Sequence, residues 1–162
     1  MHLTIAELLA YTAEERNRWE RWFRENGDEM FQMPISGPIE TTIGQLVMHI
    51  FGGELRVVQF LRNEPTVKYR NLPNRGIAEV FGMGIKSRQA MRDFVEDLAP
   101  ADWDRVVEFP SGENSIRATV RKAVAHILIH EIRHWAQIAR LVRERGFVPP
   151  GDHDLLMSAA LD

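Results

Sequence analysis

The chain has 162 residues and no cysteine. Disulfides, thiolate-bound zinc, iron–sulfur clusters and thiol nucleophiles are therefore excluded, and any metal must be held by nitrogen and oxygen. Long apolar runs are also absent: nothing approaches the roughly 20 residues of a membrane span. The opening MHLTIAELLA has no basic stretch followed by an apolar one. No secretory signal is expected, and the expected location is the cytoplasm. A basic excess is missing too. Lys and Arg number 20 against 23 Asp and Glu, a net charge of −3, which argues against nucleic acid as a partner. There is no internal repeat. The composition, 44% hydrophobic and 27% charged, fits one globular domain over 1–162 with a sizeable core.

Helical periodicity is abundant. The first segment begins at LTIAELL, where Thr4 and Glu7 fit a capping box, and Ile5, Leu8, Leu9, Trp19, Trp22 and Phe23 recur at helical spacings. Asn26-Gly27 is expected to end it, with Pro34, Gly37 and Pro38 in the following loop. The second segment, TTIGQLVMHIFGGELRVVQFL, has a second capping box in Thr42 and Gln45 and a stripe of Ile43, Leu46, Val47, Ile50, Val57, Val58 and Leu61. Gly52-Gly53 inside it calls for a bend or a close packing contact. Residues 64–75 form a connection too long for a tight hairpin, which implies a crossover to a distant position in a bundle.

A third segment over 76–98 carries Ile77, Val80, Phe81, Ile85, Met91, Phe94, Val95 and Leu98, with Asn74 as its cap. Two short β-prone pieces in 104–119 flank a Ser-Gly-Glu-Asn turn and predict at most a small ribbon. The fourth segment, 115–145, stops at Gly146, and the tail is expected to fold Phe147, Leu155 and Leu156 back onto the bundle. The fold class is all-α: a four-helix bundle with a long crossover after the second helix and a short β-ribbon before the fourth.

The fourth segment contains HILIHEIRHWAQI, with His126, His130 and His134 one turn apart. On a helix, residues i and i+4 stand about 40° apart and can share a metal, whereas His126 and His134 are about 12 Å apart along the axis. One adjacent pair plus a ligand from another helix is the reasonable set. The wheel turns His130 and His134 toward the apolar face and leaves His126 on the flank, where it is not expected to be a ligand. A lone inward histidine more often bonds a neighbouring helix, but a pair on an apolar face favours a metal, since unsatisfied buried polar groups are costly. His49, among the apolar residues of the second segment, is the candidate third ligand. Glu54 and Glu131 are further candidates, as oxygen ligands or as partners to the ligands. His2 and His153, near the ends, are expected to be solvated. Three neutral imidazoles would leave one side of the ion open. They do not select the ion: zinc and nickel lead, with iron and manganese allowed.

HEIRH also matches the zinc-peptidase pattern, with Glu131 as general base. The extended pattern fails beyond it, because Ala136, Gln137, Ile138 and Arg140 supply no glycine or histidine in register. A metal-dependent hydrolase is thus an alternative, as is a non-catalytic metal or small-ligand binding module. A bundle whose histidines only bond neighbouring helices is a third.

Three stretches together resemble the DinB-like (DNA-damage-inducible) metal-binding four-helix bundles. These are TTIGQLVMHI, with a histidine after a threonine-rich cap; HEIRHWAQIARLVRERG, with the histidine pair followed by glutamine; and GFVPPGDHDLL. Their order and separation carry the resemblance over nearly the whole chain. It implies that His49, His130 and His134 bind one divalent ion with water completing the sphere, and that homodimers are common. Some relatives are S-transferases using low-molecular-weight thiols such as mycothiol or bacillithiol, so the resemblance implies a small-molecule, thiol-type substrate. Many members have a basic residue and glycine before the glutamine, where this chain has Trp135 and Ala136.

Overall fold

A computed structural model describes residues 3–36, 40–69, 75–111, 114–151 and 154–161. Four helices account for most of it: α1 (Ile5–Phe31), α2 (Ile43–Leu61), α3 (Ile77–Asp97) and α4 (Val120–Arg143). A ribbon of β1 (Val106–Ser111) and β2 (Asn114–Thr119) precedes α4, paired antiparallel from Val106↔Thr119 to Ser111↔Asn114. The turn residues Gly112 and Glu113 lie outside the described residues. No helix of the described residues is long and apolar enough to cross a membrane.

The helix starts follow from their caps. Thr4 and Glu7 close the expected capping box, Glu7 Oε2 accepting the Thr4 amide at 2.6 Å. At α2, Thr42 accepts the Gln45 amide, but the Gln45 side chain reaches past it to the Thr41 amide at 2.7 Å, so the reciprocal half of that box sits one residue earlier. Asn74 lies outside the described residues. The N-cap of α3 is Gly76, which has no side chain to offer, and Asp28 of α1 accepts the Ile77 amide instead.

Two boundaries and two side-chain placements differ from the sequence expectation. Gly27, at φ 82 and ψ 171, kinks α1 without ending it, because Met30 and Phe31 bury their side chains in the core just beyond. The fourth helix begins only at Val120: residues 115–119 pair in β2, and Thr119 caps the helix by accepting the Lys122 amide. Ile85, placed on the α3 stripe, is 68% exposed, and Leu156 in the tail is 90% exposed. The tail returns through Phe147, edge-on to Trp22, and through Ser158, whose hydroxyl donates to Glu14. Gly146 takes the positive φ of 84 expected of a helix-ending residue.

Contacts give the helix directions. Along α2 and α3, Phe51 meets Phe81, Glu54 meets Ser87 and Arg62 meets Asp97, so the two run parallel. The connection between them therefore travels back along the bundle, as its length requires, but α3 lands beside α2 rather than at a distant position. Against α4, His49 meets His130 and Gly53 faces Ile127, which makes α2 and α4 antiparallel. Helix α1 runs with α4, as Arg16–Glu131 and Trp19–Trp135 show.

The core divides into two apolar clusters. One is aromatic, built on Trp19, Phe23, Phe31, Phe51, Phe81 and Trp135, with Trp19 and Trp135 stacked at 5.5 Å. The other gathers aliphatic residues such as Val58, Met91, Val124 and Leu128. A buried charged residue separates the two clusters on each helix: Arg16, Glu54, Arg88 and Glu131. Arg16 donates to Glu131 through Nε and Nη2, each at 2.7 Å, and to Glu54 at 2.9 Å. Arg88 Nη2 adds a 2.7 Å bond to Glu131, and Ser87 donates to Glu54. Two positive and two negative charges balance, which is what makes such a layer tolerable in a low-dielectric interior.

Candidate metal centre

His49 stands on α2 two turns after the Thr42 cap, and His130 and His134 stand one turn apart on α4. Because the helices are antiparallel and tightly packed at Gly53 and Ile127, all three imidazoles meet at one side of the α2–α4 seam. His130 Nε2 lies 3.2 Å from His49 Nε2 and 3.0 Å from His134 Nε2. One ligand atom from each of the three falls within 4.8 Å of the others. The structure thus brings together the pair singled out by spacing and the third histidine chosen from its apolar neighbours. His126 is exposed, its ring 5.9 Å from that of His130, and it is not part of this group. His2 and His153 lie outside the described residues.

The outward nitrogens are engaged where the sequence gave little warning. His49 Nδ1 lies 3.2 Å from the Tyr69 hydroxyl and 3.1 Å from Glu40 Oε1. His134 Nδ1 lies 2.9 Å from Gln137 Oε1, one turn on along α4. A carboxylate and an amide oxygen are acceptors, so each favours the proton on Nδ1 and turns the Nε2 lone pair inward. His130 Nδ1 is buried without a partner among the described residues. Burial, followed by the neighbouring His134 and His49, lowers the His130 pKa to about 3, so the ring is neutral near pH 7.

These observations test whether a metal fits. Two inward lone pairs on His49 and His134 face His130, and a His130 proton on Nε2 could satisfy only one of them. A divalent ion would meet all three at once. Tetrahedral zinc with bonds of about 2.0–2.1 Å places its nitrogens about 3.3 Å apart, close to the spacing around His130. The donor set, neutral imidazoles with acceptors behind two of them, matches how metal-bound histidines are oriented. The residues present fit the group.

Glu54 and Glu131 are not part of this site. Both carboxylates are held in the Arg16–Arg88 layer, and Glu131 also accepts the Trp135 indole N–H at 3.1 Å. Burial alone would raise the Glu131 pKa, but Arg16 and then Arg88 hold it below the ordinary value. A 2% exposed carboxylate locked to two guanidiniums cannot take a proton from water, so the peptidase reading loses its general base.

A cleft of about 280 Å³ opens beside the triad, walled by His49 and His130 together with Val57, Phe60, Phe109 and Ile127. Phe60 and Phe109 stack at 4.5 Å, so the β-ribbon supplies part of the wall. Tyr69 and Glu40 carried no sequence signal, because both sit in connections whose return to α2 depends on tertiary packing.

No curated protein matches this sequence. Among solved structures, the chain is similar to a DinB-like protein of Bacillus subtilis, YjoA, at a TM-score of 0.63 and 14% identity, over 91% of this chain and 97% of that one. At that identity the likeness speaks for the fold alone. The DinB superfamily model matches residues 34–138, which span all three histidines. With more than half of its length matched, the chain belongs to the DinB superfamily.

Proposed function

We propose that His49, His130 and His134 bind one divalent transition-metal ion through Nε2, and that the protein is a metal-dependent enzyme acting on a small molecule held in the adjacent cleft. Thiol transfer is the reaction class this arrangement suits best. The observation that carries the metal reading is the convergence of three imidazole nitrogens while the outward nitrogens of His49 and His134 face oxygen acceptors.

A bound ion with an open side would supply Lewis acidity, lowering the pKa of a thiol or water that reached it. The chain's own part is to hold and enclose. Glu40 and Tyr69 fix the His49 ring, and Gln137 fixes that of His134. Phe60, Phe109 and Val57 give the approach an apolar wall. With Glu131 sequestered in the charged layer and Glu40 engaged at His49 Nδ1, neither carboxylate fills the general-base role the HEIRH pattern assigns, whereas a thiol needs only to lose its proton.

Elemental analysis of untagged protein tests the site. Wild type should carry about one ion per chain, with His49→Ala, His130→Ala and His134→Ala each near zero and His126→Ala unchanged. Retention of the ion in the first three would defeat the assignment. Thiols added to cobalt-loaded protein should produce a sulfur-to-metal charge-transfer band. If several thiols give none, the transfer reading fails and a metal-binding module remains.

A further inference from the structure

The cleft beside the triad holds one unneutralised cation among apolar residues and neutral polar ones. Arg56 lies on its wall, exposed, and makes no hydrogen bond or ion pair with any described residue. Several other arginines of this chain pair with a carboxylate one turn away, as Arg24, Arg75 and Arg140 do. Arg56 has no such partner: its helical neighbours at three and four residues are Gly52, Gly53, Gln59 and Phe60. Among the described residues that line the cleft there is no carboxylate; the other polar ones are His49, His126, His130, Thr66 and Tyr69.

Position strengthens the point. Arg56 follows His49 by seven residues, which returns it to nearly the same face of α2 about 10 Å further along the axis. Gly53 stands between them on the cleft wall, opposite Ile127, and adds no side chain to the space between the triad and Arg56. Val57, Phe60, Phe109 and Ile127 line the path between the two ends. The cleft therefore has a donor-binding end at the histidines, an apolar middle and a cationic far end.

We infer that Arg56 is a specificity-determining residue that binds the anionic end of an elongated small ligand, a carboxylate or a phosphate, whose other end lies at the histidine triad. This rests on the proposed function for the triad end and adds the charge and length of the molecule. A guanidinium presents a planar fork that matches carboxylate and phosphate oxygens, and partial enclosure by aromatic walls strengthens the pairing over one in open water. Neutral molecules of the same length would gain only the apolar contact.

The test uses ligands of known structure. Hexanoate, hexyl phosphate and hexanol are titrated into the metal-free protein and followed by saturation-transfer NMR, in wild type, Arg56→Gln and Arg56→Lys. Wild type should bind one of the two anions roughly tenfold more tightly than hexanol, a preference of the size expected for a charge-assisted pair. Which anion wins distinguishes a carboxylate ligand from a phosphate one. Arg56→Gln should abolish the preference without changing hexanol binding, and Arg56→Lys should keep part of it. A preference that survives in Arg56→Gln, or none in wild type, would overturn the inference. A second arm adds 6-mercaptohexanoate and 6-mercaptohexanol to cobalt-loaded protein. If neither gives a thiolate band while the hexanoate or hexyl phosphate preference stands, the thiol reading fails and the Arg56 assignment is upheld.

Discussion

Replacing Glu131 by glutamine keeps the shape of the side chain and removes one negative charge from the buried layer between the two apolar clusters. The carboxylate accepts four bonds: Arg16 Nε and Trp135 Nε1 on one oxygen, and Arg16 Nη2 and Arg88 Nη2 on the other. An amide has only one accepting oxygen. Whichever way it is turned, two N–H donors face its NH₂, and two guanidiniums are left with Glu54 as their only carboxylate in the layer. Removing one partner of a buried ion pair costs about 3–5 kcal/mol. At about 2–4 °C per kcal/mol for a chain of this size, the melting temperature should fall by roughly 6–20 °C.

Glu131 also makes the effect pH-dependent. Its folded pKa is depressed, so its contribution is present above the ordinary carboxylate range and is lost as pH falls through the folded value. The gap between wild type and Glu131→Gln should therefore be full at pH 7 and close in acid. Calorimetry and urea melts at several pH values read this directly. A melting temperature within about 2 °C of wild type at pH 7 would refute the reasoning. The peptidase reading expects a different pattern, with stability unchanged and hydrolysis abolished.

Three further outcomes follow from the geometry. A methyl added at Gly52 would lie 2.2 Å from Tyr69 Cγ, so Gly52→Ala should cost about 1–3 kcal/mol and, by displacing the ring that touches His49, weaken zinc binding in a chelator competition. His130 has its folded pKa lowered to about 3, so the folded chain resists a proton that the unfolded chain accepts near pH 6.5. Stability is full above pH 6.5 and falls as the pH drops toward 3, and metal release into a colorimetric chelator should rise over the same window; pH-independent retention would contradict a neutral-imidazole site. Stripping the ion should lower stability by about 2.7 kcal/mol relative to protein held at a hundred times the dissociation constant, and a melting temperature insensitive to chelation would favour histidines that merely bond neighbouring helices.

Much of this was legible in the sequence because helices repeat every few residues. The four segments, the Thr4 box, the Gly146 stop and the inward turn of His130 and His134 all follow from local spacing. His49 needed a second helix to give it meaning, and its choice leaned on its apolar neighbours. The boundary at Val120 was missed because residues 115–119 are as compatible with a helix as with a strand until β1 pairs with them. The charged layer was also missed, although a signal existed. Arg16 falls in register with Leu9, Thr12, Trp19 and Phe23; Glu54 with Ile50 and Val58; Arg88 with Phe81 and Met91; and Glu131 with Ile127 and Trp135. Two cations and two anions, each on an apolar stripe, predict mutual pairing. Single-helix periodicity counts such residues as interruptions and does not match them across helices. Tyr69 and Glu40 depend on which connection returns to which face, and nothing local encodes that; Arg56 shares a face of α2 with His49, but only the packed ribbon and α4 make that face a cleft.

The two halves of the triad are 81 residues apart, measured from His49 to His130. Most of the chain must be synthesised before the second half exists, and α2 must dock against α4 before the three nitrogens can converge. Such a centre cannot nucleate the fold; it is completed by it. The aromatic cluster and the charged layer therefore have to assemble the bundle unaided, and loading of an ion at the triad would be a late event, open to exchange after folding. In a cell, the identity of an ion bound there would be set by what is available to the finished fold rather than by what the nascent chain meets.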